Sequence, residues 1–254
     1  MTESVLIEER FRGPPQSGNG GYVSGAFAGL LHPDRTRAAT VTLRSPIPLD
    51  RAMQVSKNEG GVVVNDGDTL IAEVGAAPDF DLDVPTLPTW DRVREAAPRT
   101  YSLGDGHNDL IPGRGFHPIC FCCGADHEDG ARVFAAPIAK GAVAAVWETS
   151  TSWADDNGRV PFNYLWTALD CPGQFAWLAD GVRTGLLGRM TARIDEQPVA
   201  GEPLLVTAWT IGRERKKHFA GATISTESGE VIARAMTLWI GDRTAEKPLP
   251  ESWL

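Results

Sequence analysis

Residues 38–76 and 188–240 carry the same punctuation, and a chain that says one thing twice has to build one unit twice. The first stretch, "AATVTLRSPIPLDRAMQVSKNEGGVVVNDGDTLIAEVGA", alternates β-branched and polar residues, turns at Pro46 to Asp50 and turns again at Asn65 to Gly67. In the second, "QPVAGEPLLV" parallels "IPLDRAMQV", and "ATISTESGEVIARA" parallels "VVVNDGDTLIAEV". Each copy has a hairpin whose turn places Gly between polar or acidic neighbours: Asp66, Gly67, Asp68 and Ser228, Gly229, Glu230.

A helical segment precedes each set of strands. The first runs over Gly20 to Leu31 and stops before His32 and Pro33, because a following proline disfavours the helical backbone. The second spans Val160 to Gly181, with Pro172 and Gly173 set to bend or divide it. One helix and a long antiparallel sheet, twice over, is an α+β arrangement. The expected units are residues 1–88 and 116–243, a Pro- and Gly-rich connector 89–115 with a short helix near Trp90 to Ala96, and a tail 244–254. The first helix poses its own question. Gly18, Gly20 and Gly21 cost helix stability, so they serve a tight turn, a closely packed backbone or a ligand lying on bare N–H groups.

Hydrophobic content of 42% against 22% charged residues excludes a disordered chain. The net charge of −9 argues against nucleic acid or an anionic membrane as partner. No apolar run is long enough for membrane insertion, the first residues lack the pattern of a secretory signal, and four cysteines do not make a disulfide framework. A cytoplasmic protein with reduced thiols is the expectation.

Three stretches resemble the hotdog-fold acyl-CoA thioesterases, in particular tandem, double hotdog chains. "CFCCGADHEDGARV" from Cys120 is similar to that family's "CFxCGxxNxxGL" segment; "VPFNYLWTALDCPGQFAW" and "GNGGYVSGAFAGLL" are similar to its helix, which usually opens on "HGG" and carries an acid about eight residues on. Carried over position by position, neither copy is whole. The first keeps the glycine turn with Asn19 in the histidine position but has Ala28 where the acid belongs; the second keeps Asp170 but has Pro161 and Phe162 where the turn belongs. The resemblance therefore implies two helices, each wrapped by a sheet, and one composite site in which Asn19, Gly20 and Gly21 face Asp170. It implies thioester hydrolysis without metal or cofactor, coenzyme A being part of the substrate. There the helix N-terminus holds the carbonyl oxygen and Asp170 acts as general base or nucleophile. Apolar neighbours raise the pKa of Asp170 and a facing helix N-terminus lowers it.

Other readings stay open at this level. The glycines can be structural, Asn19 an N-cap, and Asp170 a cap after a kink. Asp155, Asp156 and Asn157 read as a solvated turn. The Cys-x-Cys-Cys of Cys120, Cys122 and Cys123 lacks paired zinc spacing and reads as a buried start of a strand, with no metal. Arg213, Arg215, Lys216 and Lys217 form either a solvated hairpin or a contact for coenzyme A phosphates. The tryptophans read as core, several of them able to line an acyl tunnel. Alternative activities are non-catalytic acyl-CoA binding and enoyl-CoA hydration or dehydration, the latter disfavoured by the absence of a histidine from the second helix. A tandem chain already contains its pair, and homo-oligomer formation through sheet edges stays open.

Overall fold

The computed structural model describes residues 3–32, 37–103 and 117–242. Strands β1 (Glu3–Val5), β2 (Ala39–Leu43), β3 (Met53–Asn58), β4 (Gly61–Asp66) and β5 (Thr69–Ala76) belong to the first half, with helix α1 (Gly20–Leu31) ahead of β2. Helix α2 (Trp90–Ala96) is the short helix expected in the connector. The second half holds β6 (Ala136–Ala139), β7 (Ala142–Glu148), α3 (Phe162–Ala168), α4 (Cys171–Ala179), β8 (Thr184–Ile194), β9 (Pro203–Glu214), β10 (Lys217–Ser225) and β11 (Val231–Asp242).

All eleven strands join one antiparallel sheet in the order β1-β3-β4-β5-β2-β8-β11-β10-β9-β7-β6. The order reads β3-β4-β5-β2 after α1 and β9-β10-β11-β8 after α4, so the two sets of strands are wound alike. They meet where β2 pairs with β8, Thr40 opposite Thr191 and Val41 opposite Met190. A Thr40 Oγ1 to Thr191 Oγ1 hydrogen bond of 2.8 Å pins that register. Period-two alternation sets which face is buried: Met53 and Val55 point inward while Gln54 and Ser56 point to solvent. Both hairpin turns fall where the repeat puts them, and Gly67 and Gly229 adopt φ of +56° and +88°, the left-handed region that explains their choice.

Helix α1 matches its expected bounds. The second segment divides earlier than Pro172 alone suggests, at Leu169 and Asp170. Pro172 has no N–H for the carbonyl four residues back, but it is tolerated in a first turn, so it opens α4 rather than bending a continuous helix. Phe27, Met53 and Ile71 fill the core of the first half, and Trp147, Leu165, Leu169 and Phe175 that of the second. The expected strand at the cysteines is a difference: residues 117–131 form turns, held by Cys120 N–H to His117 O (2.9 Å) and Gly124 N–H to Cys120 O (2.7 Å), and the next strand begins at Ala136. Their burial is as expected. The tail 244–254 and connector residues 104–115 lie outside the described residues. Among the described residues no helix is long and apolar enough to cross a membrane.

Candidate active site

The glycines of α1 bring two helices into backbone contact. Gly21 and Gly25 sit one turn apart on the face turned to α3, so they act together. A Cβ on Gly21 would stand 2.5 Å from Asp170 Cβ and 2.6 Å from Trp166 O, and one on Gly25 would stand 2.9 Å from Trp166 Cβ. No side chain fits at either position. Close helix packing is therefore one answer to the question those glycines raise, and it sets the start of α1 against the α3–α4 junction.

Asn19 is the N-cap of α1: its Oδ1 accepts from Tyr22 N–H at 2.9 Å. The same amide donates through Nδ2 to Asp170 Oδ2 at 3.0 Å, and Gly21 N–H donates to that oxygen at 2.8 Å. Asp170 stands at the N-cap of α4 but its side chain does not cap that helix; the carboxylate turns to the start of α1 instead. The other oxygen, Oδ1, is buried without a partner among the described residues. Burial pushes the Asp170 carboxyl up to about 7; the Gly21 N–H and the Asn19 amide oppose that rise, and the neighbouring Cys120 adds to it. Of the two influences left open by the sequence, desolvation wins.

Asn19, Gly20 and Asp170 line a cavity of about 680 Å³. Leu187, Trp239 and Ile240 make an apolar wall, residues 13–18 another side, and Arg44 and His117 are its basic side chains. The N–H of Gly21 is occupied by Asp170, whereas the Gly20 N–H has no partner among the described residues. A Cβ on Gly20 would meet Leu187 Cδ2 at 2.7 Å.

The basic hairpin lies elsewhere. Arg213, Arg215, Lys216 and Lys217 are exposed and none lines the cavity, and Arg213 pairs with Asp242 at 2.9 Å. Lys217 is paired in register with Ile240, so the hairpin is one strand from the apolar wall. Gln174, which the sequence alone does not single out, is buried, lines the cavity and donates through Nε2 to Gly185 O at 2.8 Å. Its place four residues after Asp170, on the same helical face, was the available signal. Around the start of α3, Phe11 stacks on Tyr22 at 3.6 Å and Tyr164 closes on Phe121 at 5.2 Å.

No family model and no curated protein matches the chain. Solved structures do. A candidate thioesterase II from Thermobifida fusca is 11% identical, with a TM-score of 0.60 over 93% of this chain and 92% of that one. A tesB protein from Mycobacterium avium subspecies paratuberculosis is 12% identical, with a TM-score of 0.54 over 94% and 91%. A thioesterase superfamily protein, 19% identical with a TM-score of 0.47, is matched over 52% of this chain and 64% of its own length. The two near-full-length matches, together with the strand order and the helix pair, show that this chain shares the fold of those two solved structures, the hotdog fold.

Proposed function

We propose that this protein hydrolyses acyl thioesters of the coenzyme A type, at one composite site between two hotdog repeats spanning residues 1–88 and 116–243. The observation that carries the reading is the Asp170 carboxylate, bound through Oδ2 by Asn19 and Gly21 from the other half while Oδ1 is left without a partner beside an apolar cavity. With the thioester in that cavity, Gly20 N–H donates to the carbonyl oxygen and stabilises the charge that develops there. Asp170 either takes a proton from the attacking water or attacks the carbonyl carbon itself, forming an anhydride that water then opens. In both routes the C–S bond breaks and the departing sulfur ends as a thiol. Asn19 and Gly21 hold the carboxylate in place.

The test is a panel of short, long and aromatic acyl-CoA substrates with a thiol-detecting reagent. The expected result is CoA release from at least one class; no release across the panel would move the reading to acyl-CoA binding alone, and hydration of an enoyl-CoA without CoA release would move it to a hydratase. The exposed hairpin gives a second expectation. Lys216→Glu combined with Lys217→Glu should raise KM for an acyl-CoA about tenfold at low salt, less at high salt, with kcat unchanged. The same acyl group on a pantetheine thioester without the nucleotide phosphates should show no such loss. Equal effects on both substrates would remove the hairpin from the site.

A further inference from the structure

Of the four cysteines, all buried, three converge from two chain segments: the Sγ atoms of Cys120, Cys123 and Cys171 lie within 4.8 Å of one another. Cys120 Sγ and Cys171 Sγ, fifty-one residues apart in sequence, stand at 3.8 Å. We propose that Cys120, Cys123 and Cys171 form a binding site for a thiophilic divalent cation of the zinc class, reached through the cavity.

Geometry supports this first. Sulfurs bound tetrahedrally at about 2.3 Å from zinc stand about 3.8 Å apart. The Cys120–Cys171 edge already has that length, and the remaining separations need to close by at most about 1 Å. Cys120 and Cys123 also have the two-residue spacing that lets one turn present two sulfurs, a relation hidden in sequence by the intervening Cys122. Cys122 is otherwise engaged, its thiol donating to Thr167 O at 3.1 Å.

The surroundings suit ligated sulfur better than plain core packing. Small hydrophobic thiols ask for apolar neighbours, but here Asn19 Nδ2 lies 3.7 Å from Cys120 Sγ and 4.0 Å from Cys171 Sγ, an N–H donor aimed at both. Such outer donors steady thiolate ligands. Cys120 and Cys171 line the cavity, which supplies a path in and a fourth coordination position for water. Binding forms three metal–sulfur bonds and sends the thiol protons to solvent. The cation would tie the turn segment around residues 117–131 to helix α4. The inference does not rest on the hydrolase reading.

The experiment titrates the reduced, chelator-stripped full chain with Cd2+ and follows thiolate-to-metal charge-transfer absorbance. The expected result is a band saturating at one cation per chain, lost in Cys171→Ser and in Cys123→Ser and kept in Cys122→Ser. No band in the folded wild type, or a band that survives Cys171→Ser, would overturn the proposal. If a serine variant does not fold, cadmium NMR on the wild type reads the ligands directly: a resonance in the sulfur-rich range supports the site, and one in the oxygen or nitrogen range contradicts it.

Discussion

Asp170→Asn is expected to lower acyl-CoA hydrolysis by about 10³-fold while leaving the fold and CoA binding in place. The substitution keeps size and shape. An asparagine carbonyl can still accept from Gly21 N–H and the Asn19 amide, so the contacts between the start of α1 and the α3–α4 junction survive. What disappears is the group able to take a proton or attack carbon. Because the carboxylate is almost fully buried, removing its charge also removes a desolvation cost, and the thermal midpoint should hold or rise. Turnover, a melting curve and CoA binding measured on one preparation separate these effects. Turnover within threefold of wild type would mean that Asp170 only positions its neighbours.

Gly21→Ala should act in the opposite sense, on the fold itself. In an isolated helix alanine would gain about 1 kcal/mol over glycine. Here the added Cβ meets backbone, 2.6 Å from Trp166 O, as well as Asp170 Cβ, and neither can swing away as a side-chain tip could. Overpacking of this kind costs about 3 kcal/mol, leaving a net loss of about 2 kcal/mol and a fall of about 4–8 °C in Tm. Hydrolysis should fall as well, since the carboxylate is pushed off its donors. Gly212→Ala is the control: nothing lies within 4 Å of a Cβ there, and stability should stay level. A Gly21→Ala protein as stable as wild type would refute the close helix contact on which the site depends.

Much of this architecture is legible in the residues because its causes are local. Alternation fixes the faces of β3 and β4, glycines at positive φ fix the turns at Gly67 and Gly229, and His32–Pro33 fixes the end of α1. The pairing of Asn19 and Gly21 with Asp170 could be inferred only because each copy lacks what the other keeps; no local pattern contains it. Less could be read where the cause is three-dimensional. Nothing in the sequence around Gly20 and Gly21 says which N–H will be taken by Asp170, and that choice depends on how closely α1 meets α3. The approach of Cys171 to Cys120 and Cys123 is not legible because it lies far away in sequence, and the segment of Cys120 to Cys123 reads as a strand because apolar turns and buried strands share a composition. Gln174 has only its place one turn after Asp170 to mark it in the sequence, since its side chain takes its meaning from the cavity it borders.

The position of a bound thioester carbonyl tests the composite site most directly, and a complex with an unreactive ketone analogue of an acyl-CoA would reveal it. The carbonyl oxygen is expected within hydrogen-bonding distance of Gly20 N–H, the carbonyl carbon facing Asp170 Oδ1 and the acyl chain along Leu187 and Trp239. An analogue bound with its carbonyl away from both Gly20 and Asp170 would contradict the composite site.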